Sequence, residues 1–530
     1  MTGRIRGILA AHGAARRTGV PVEEVLGRPG PPTDPPARPS RRDVVRGVGV
    51  VAGGALAVAA GAFATPAAAG EPDVVVVGAG LAGLRTAHWL WRVKGITSAV
   101  YEGSDRLGGR CWTLRGHFDP YVVEHGGALI NTDHNAIRNL AHNLGLSLDP
   151  VYGGNYAGWP DKYLIDGVDY PYDDANEDWG EVWLAAKNAV KAAPYPQTYD
   201  SWTQAGRDLD AMTVDEWLDA NVPGGLSSRF AKLMQSNSVA EYGLDPSEQS
   251  ALNLVYLLGW NGQNSLAPIN GADEKYTVRG GNDQIVHRMA EQLPAGTVRT
   301  SHRLTAVRTL ADGRVRLRFA TGGKDVEVTA ARVVLALPFT TLRDVDLTDA
   351  ALSPLLRTAI AELGLGANAK IHLGMSRRPW VEQGYGGAAY SEVTGFQCAW
   401  DDTADQPLPG GVLNVFPGGS QVTDGWRGDP FGVPTPKQVD EYLGQLDAVF
   451  PGVRAAYTGV AWRDFWWANP WSHGAYTCQR PGQYTGVFGA GSTPEGAIHF
   501  AGEHTSTYYY GYLNGAVESG ERAAKAVALS

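Results

Sequence analysis

The chain has 530 residues, 44% of them hydrophobic and 19% charged, enough for more than one domain and a large core. Net charge is −10; residues 1–69 hold nine arginines against four acidic residues, a surplus of five, so the remainder carries −15. An acidic body argues against nucleic acid as a partner and mildly favours small cations, although a solvated acidic surface is the plainer reading. Sixteen Trp and 22 Tyr make aromatic-lined cavities plausible. Cys111, Cys398 and Cys478 make neither a disulfide framework nor a metal site, and no metal is expected.

Residues 1–39 are rich in Pro and Arg and are expected to be disordered. Ser40-Arg41-Arg42-Asp43-Val44-Val45-Arg46 then precedes a mildly apolar run, 47–64, and the small-residue site Thr65-Pro66-Ala67-Ala68-Ala69. That order reads as a secretory signal peptide, here 40–69, cleaved near Ala69. Its paired arginines resemble a twin-arginine signal, which implies export as a folded protein by the twin-arginine machinery and an extracytoplasmic location. A retained membrane anchor is the alternative, but the run is short of the ~20 apolar residues that span a bilayer.

Residues 74–110 carry the most specific pattern. Four valines, Val74–Val77, read as a buried parallel strand. Gly78, Gly80 and Gly83 follow in G-x-G-x-x-G spacing, an apolar helix comes next, and a second strand over Ser98–Tyr101 ends on Glu102. The glycines permit a tight turn and close backbone approach to a pyrophosphate. The helix N-terminus offers open N–H groups to that anion. Glu102 stands where a carboxylate can accept from a ribose hydroxyl.

Beyond this unit, residues 150–178 look irregular, with an acidic group (Asp173, Asp174, Glu177, Asp178) expected in a solvated loop. Residues 179–260 have helical spacing, and Asp245-Pro246-Ser247-Glu248 resembles a helix start. Strands are expected over Val298–Val307, Val315–Phe319, Val326–Val328 and Val333–Leu337. A helix near Lys437–Phe450, the strand Ile498-His499-Phe500 and a closing helix over Gly515–Leu529 complete the series. The predicted class is α/β: a discontinuous Rossmann-type dinucleotide-binding domain (70–130, 272–345 and 462–530) with an α+β substrate-binding domain (131–271 and 346–461) inserted between its parts.

Four blocks in order resemble the flavin-containing amine oxidase superfamily of monoamine, polyamine and L-amino-acid oxidases, over roughly 71–528. They are the opening block through Arg106-Leu107-Gly108-Gly109-Arg110; Glu124-His125-Gly126-Gly127; Arg279-Gly280-Gly281-Asn282-Asp283; and Phe500-Ala501-Gly502-Glu503-His504-Thr505 with Gly511-Tyr512-Leu513-Asn514-Gly515-Ala516. The resemblance implies bound FAD. Glu102 would hold the adenosine ribose, Arg110 would lie near the phosphates, and the strand at Leu304 would touch adenine. Gly502, Glu503 and Leu513 would approach ribityl and isoalloxazine. Gly78, Gly80, Leu81, Ala82, Gly83, Gly103, Gly109, Gly126, Gly127, Ala128, Leu129 and Ala516 complete the implied contacts. Ala475 falls where some monoamine oxidases carry a flavin-attaching cysteine, so the FAD is expected to be non-covalent.

The implied reaction sends hydride from the carbon bearing nitrogen to the flavin, hydrolyses the imine and reduces O2 to H2O2. Lys370 matches the family lysine that holds a water near the flavin, and Tyr476 and Tyr512 match the aromatic pair flanking the substrate amine. No arginine follows Gly127 in Ala128-Leu129-Ile130-Asn131-Thr132-Asp133-His134, where venom-type L-amino-acid oxidases clamp a carboxylate. This favours a primary amine or polyamine, with an L-amino acid open because Arg279, Arg377 or Arg378 could be delivered by the fold. A flavin desaturase or isomerase, or a non-catalytic flavoprotein, are more distant readings. Glu241 could read a distal ammonium or make structural bonds at a helix end. His125 could approach the flavin, and Trp466 and Trp467 could wall the pocket. The resemblance allows a homodimer.

Overall fold

The computed structural model describes residues 72–151, 158–267, 273–392, 394–407 and 409–530. The N-terminal extension and signal segment expected over 1–39 and 40–69, with cleavage near Ala69, lie outside the described residues. Among those described, no helix is long and apolar enough to cross a membrane. None of their His, Cys, Asp and Glu side chains form a group that could hold a metal ion.

The four valines become the central strand of a five-stranded parallel sheet. Its order is Ile498–Phe500, Arg332–Leu335, Val74–Val77, Ala99–Tyr101, Val298–Arg299. A strand covered on both faces has no reason to alternate, hence the unbroken β-branched run. Val74, Val76 and Val334 face the helices Leu81–Trp89 and Leu513–Leu529, in a core shared with Ile137 and Leu140 of the helix Asn135–Asn143. The two long-separated helices touch where Gly520 lacks a side chain: a Cβ there would meet Ala82 O at 2.4 Å. Val75, Val77, Val333 and Leu335 face the opposite core, with Val307, Leu317 and Phe319 from the antiparallel ribbon Arg303–Thr309, Val315–Ala320 and Asp325–Ala330.

A second, eight-stranded sheet runs Phe431–Gly432, Tyr457–Asp464, Lys370–Met375, Gly411–Val415, Cys398–Asp401, Ala389–Tyr390, Lys162–Ile165, Val168–Asp169. Strand alternation gives it two unlike faces. Ile371, Leu373, Leu413, Val415 and Ala461 pack against Leu443, Leu446 and Val449 of the helix Pro436–Val449, whose N-terminus is fixed by a Thr435/Gln438 capping box. The register places Lys370, His372, Asn414, Trp400 and Asp464 on the other face. Helices Tyr172–Ala192, Gln204–Ala211, Val214–Asn221, Arg229–Tyr242 and Ala251–Leu258 pack on one another, and Arg229–Tyr242 among them meets the strands Lys162–Ile165, Ala389–Tyr390 and Cys398–Asp401.

Three local expectations give way to the structure. Val298–Val307 is two strands in two sheets, because Ser301 (φ 58) turns the chain between Val298–Arg299 and Arg303–Thr309. Asp245–Glu248 starts only a three-residue 3-10 turn, Pro246–Glu248. Gln249 is extended (φ −96, ψ 141), and the helix Ala251–Leu258 begins after Ser250, whose hydroxyl accepts from Leu252 N. The acidic group at 173–178 occupies the first turns of the helix Tyr172–Ala192 rather than a loop, where carboxylates favour the helix N-terminus.

Candidate active site

The nucleotide cradle follows from the glycines. Gly78 sits at φ 101, and a Cβ there would lie 2.8 Å from Ala336 O. Gly83 lets its helix close on the turn, since a Cβ would meet Gly78 O at 2.0 Å. Gly80 is the N-cap of Leu81–Trp89 and supplies no side-chain cap, so the first-turn amides of Leu81, Ala82 and Gly83 stay open to an anion. Gly80 bridges to Gly108, and Gly109 comes 3.5 Å from Gly80 Cα at its Cβ position, which brings Arg106–Arg110 onto the turn.

Glu102 lies beside this turn but is already engaged: Oε2 accepts from Ala79 N at 2.7 Å, and Oε1 accepts from Ser104 N and Oγ, both at 2.8 Å. Gly103 packs under Trp471, with 2.4 Å between a built Cβ and the ring. His302 N donates to Glu102 O at 2.8 Å, so the strand of Leu304 does run past Glu102, although Leu304 itself is buried in the core.

Both ends of the described chain meet at Arg110. Its Nη1 donates to Ala475 O at 2.6 Å and to Glu503 Oε1 at 2.9 Å, and Glu503 Oε2 accepts from Gly511 N at 2.6 Å. Burial pushes the Glu503 pKa up, but Arg110 and the other donors outweigh it and hold the carboxyl below its usual range. Gly502 (φ 136) packs on the His504 ring, and its N–H donates to Ser519 Oγ at 2.9 Å. Gly127 abuts Leu513: a Cβ would lie 2.8 Å from that side chain. Asn282 Nδ2 donates to Gly127 O and Ala128 O at 3.1 and 2.8 Å, tying the third sequence block to the second. Ala128 and Leu129 wall a cavity of about 240 Å³ together with Glu124, Trp400 and Asp402. Ala516 lies in the first turn of Leu513–Leu529. An uncapped helix N-terminus, glycines at three points of closest approach and a shared Arg110 junction fit a long dinucleotide.

Lys370, Tyr476 and Tyr512 meet this cradle from the eight-stranded sheet and the closing segment. Lys370 is 3% exposed, and its Nζ donates to Glu124 O at 2.8 Å and Gly126 O at 2.9 Å, the two carbonyls flanking His125. Tyr476 and Tyr512 both reach the C-terminal end of Arg229–Tyr242: Tyr476 OH donates to Ala240 O and Tyr512 OH to Glu241 Oε1, each at 3.0 Å. The Tyr476 ring also lies 3.7 Å from the Cβ position of Gly511, the neighbour of Tyr512. Burial, then Glu241, raise the Tyr476 phenol well above its ordinary value, so it stays protonated. His134 packs edge-on to Tyr512, and burial lowers its pKa to about 3, so it is neutral there.

Carboxylates bear on both tyrosines: Glu241 accepts from Tyr512 OH, and, after burial, Glu241 and Glu274 both raise the Tyr476 phenol. Glu274 is raised to about 8 by burial, then by Glu241, Asp273 and Asp161, and Asp161 is raised to about 6 by burial. The three arginines that could have clamped a carboxylate are engaged elsewhere. Arg279 forms a fork on Asp149, Arg377 pairs with Glu382, and Arg378 lies 3.2 Å from Asp401. Trp466 walls the turn, donating from Nε1 to His125 O at 2.9 Å, whereas Trp467 is exposed.

Sequence reasoning did not single out Glu274, Asp161, Asp464 or Asp402. Only His372, two residues past Lys370 on a strand and so on its face, carried a readable signal.

The model of the flavin containing amine oxidoreductase family matches residues 81–528. The chain belongs to this family. FAD is its cofactor, and amine oxidation is its chemistry. Amine oxidase [flavin-containing] A of Canis lupus familiaris is 27% identical over 468 residues, 86% of this chain and 84% of that protein. An L-amino acid dehydrogenase of Synechocystis sp. is 24% identical over 482 residues, 86% of this chain and 94% of that one. The solved structure of putrescine oxidase bound to putrescine shares the fold, with a TM-score of 0.72 at 23% identity over 87% of this chain and 99% of that one.

Proposed function

We propose that the enzyme oxidatively deaminates a primary amine or polyamine, with dicationic amines as its best substrates. The observation that carries this reading is Glu241, which accepts from Tyr512 OH and shares its surroundings with Glu274 and Asp161. A Glu274 carboxyl raised to about 8 is largely neutral at pH 7. The distal, non-reacting ammonium of a diamine would return it to the ionised form and gain a charge-assisted partner. A carboxylate entering the same surroundings would meet like charge, which disfavours an amino acid.

Bound FAD would supply the hydride acceptor and the route of electrons to O2, which leaves as H2O2. Tyr476 and Tyr512 would hold the reacting amine between their rings. Burial there disfavours the ammonium form and leaves the nitrogen lone pair available. Lys370 Nζ has three donors, two of them on Glu124 O and Gly126 O; the third would orient the water that hydrolyses the imine. Ala475 offers no thiol, which supports a non-covalent flavin that acid precipitation should release in full. Export by the twin-arginine route, with cleavage near Ala69, is the companion proposal; N-terminal sequencing of the protein from culture medium tests it.

The decisive experiment is a peroxide-release screen of purified protein over monoamines, diamines, polyamines and the twenty L-amino acids. Diamines or polyamines should give the highest kcat/KM. Glu241→Gln should then raise their KM by about tenfold to a hundredfold, the loss of one hydrogen bond to a charged group, and affect short monoamines little. Activity confined to L-amino acids would overturn the reading.

A further inference from the structure

Lys370 and His372 lie two residues apart on one strand and leave the same face of the sheet. Lys370 holds the carbonyls on either side of His125. His125 Nδ1 lies 2.6 Å from Asp464 Oδ1, Asp464 Oδ2 lies 3.0 Å from His372 Nε2, and His372 Nδ1 lies 2.7 Å from Asp402 Oδ2. Asp464 is also the cross-strand neighbour of Lys370. The path therefore closes on itself: strand, His372, Asp464, His125, turn carbonyls, Lys370, strand. Trp462 Nε1 donates to Asp464 Oδ1 at 3.1 Å, and Trp112 stacks on His125 with 3.6 Å between ring centroids.

Two features say what this string is for. His372 Nε2 is hydrogen-bonded to Asp464 Oδ2, while its Nδ1 meets Asp402 Oδ2 at 2.7 Å as an ion-pair contact outside hydrogen-bond geometry; a bare lone pair so close to a carboxylate oxygen would be repelled, so the ring carries both protons. The string is thus a buried cation between two anions, with all four side chains at most 4% exposed. Buried ion pairs are seldom better for stability than well-packed apolar groups of equal volume. What they supply is direction, since the two bonds Asp464 makes, to His125 and to His372, fix angles as well as distances.

We propose that Asp464 is a positioning residue for the oxidation. Through His125 and His372 it holds Lys370 and the Glu124–Gly127 turn in one frame, so that ammonium and carbonyls keep their mutual placement as substrate arrives. The proposal rests on the reading of Lys370 and this turn as the wall next to the flavin ring.

Asp464→Asn in the holoenzyme tests it, because the side-chain shape is kept while one oxygen becomes a donor facing a donor on His372. With the best amine, kcat per bound flavin should fall by about tenfold or more with KM within about twofold, the signature of a displaced reacting geometry. The visible absorption maxima of the flavin should shift and its release should quicken. An unchanged kcat per flavin together with unchanged maxima would overturn the proposal, whatever happens to Tm. Should Asp464→Asn fail to fold, Asp402→Asn at the far end of the string decides, with an expected loss of about threefold in kcat and the same spectral shift; no change in either would overturn it. If the wild type oxidises no amine, the substrate reading fails, and the flavin spectrum and release rate of the variants still test the positioning role.

Discussion

Gly126→Ala is the sharpest test of how the turn proposed to line the flavin is built. A Cβ at position 126 would lie 2.0 Å from the Arg110 carbonyl oxygen and 3.2 Å from the Trp466 ring. Carbon and carbonyl oxygen settle at about 3.3 Å, so the turn must open by about 1.3 Å. The obstacle is backbone and cannot rotate away. Opening breaks the bond from Gly127 N to Arg110 O (3.1 Å) and shifts Gly126 O, which holds Lys370 at 2.9 Å. Overpacking costs about 1–3 kcal/mol. The lost hydrogen bond adds about 1 kcal/mol. A displacement of about 1 Å at a reacting geometry costs on the order of a hundredfold in rate. We expect flavin occupancy, read from the visible-to-ultraviolet absorbance ratio, to fall, and kcat per bound flavin to fall by about a hundredfold with Tm reduced. Gly486→Ala is the control: nothing lies within 4 Å of its Cβ position, and it should be neutral. A Gly126→Ala protein with full flavin, wild-type Tm and wild-type kcat would refute the steric argument.

Lys370→Met should leave FAD bound but slow flavin reduction or reoxidation by at least about tenfold in anaerobic and oxygen-mixing stopped flow. It should also lower stability by about 2–4 kcal/mol, because two carbonyls lose their buried donor; unchanged half-reactions would remove Lys370 from the mechanism. The stability gap between wild type and Asp464→Asn should depend on pH. Burial raises the Asp464 pKa, but His125 and His372 outweigh it and hold it at about 2, so its contribution is present above the unfolded value and lost as pH falls toward 2. Burial lowers the His372 pKa, but Asp402 and Asp464 outweigh it and raise it, so its share is full below about 6.5 and lost as pH climbs through the raised value. Thermal melts should therefore show the widest gap between about pH 4 and 6.5, and a gap that widens steadily toward alkaline pH would contradict the imidazolium assignment.

What could be read from the residues was whatever the backbone demands locally. The valine run, the three glycines and Glu102 announce a strand, turn and helix because each residue type answers a constraint within a few positions of itself. Gly127 against Leu513, and Arg110 against Glu503, could be expected only as family blocks, because nothing local says that residues almost 400 apart will touch. Of the string through Asp464, only His372 is legible, from its spacing to Lys370. His125, beside the Gly126-Gly127 turn, suits the flavin and a structural bond equally in the sequence, and Asp464 reads as one more acidic residue in an aromatic stretch. Their meaning comes from cross-strand register, which sets Asp464 opposite Lys370 and His372 on Lys370's own face. Register depends on how three strands from distant segments pair, and a slip of one residue would have turned every one of these side chains toward the Leu443–Val449 helix. The same holds for Glu241, legible as a helix-end carboxylate. Its bond from Tyr512 and its electrostatic reach to Glu274 arise only when the helix Arg229–Tyr242, the strand Tyr276–Val278 with the residues before it, and the closing segment converge, and the proposed reading of a distal ammonium depends on that convergence.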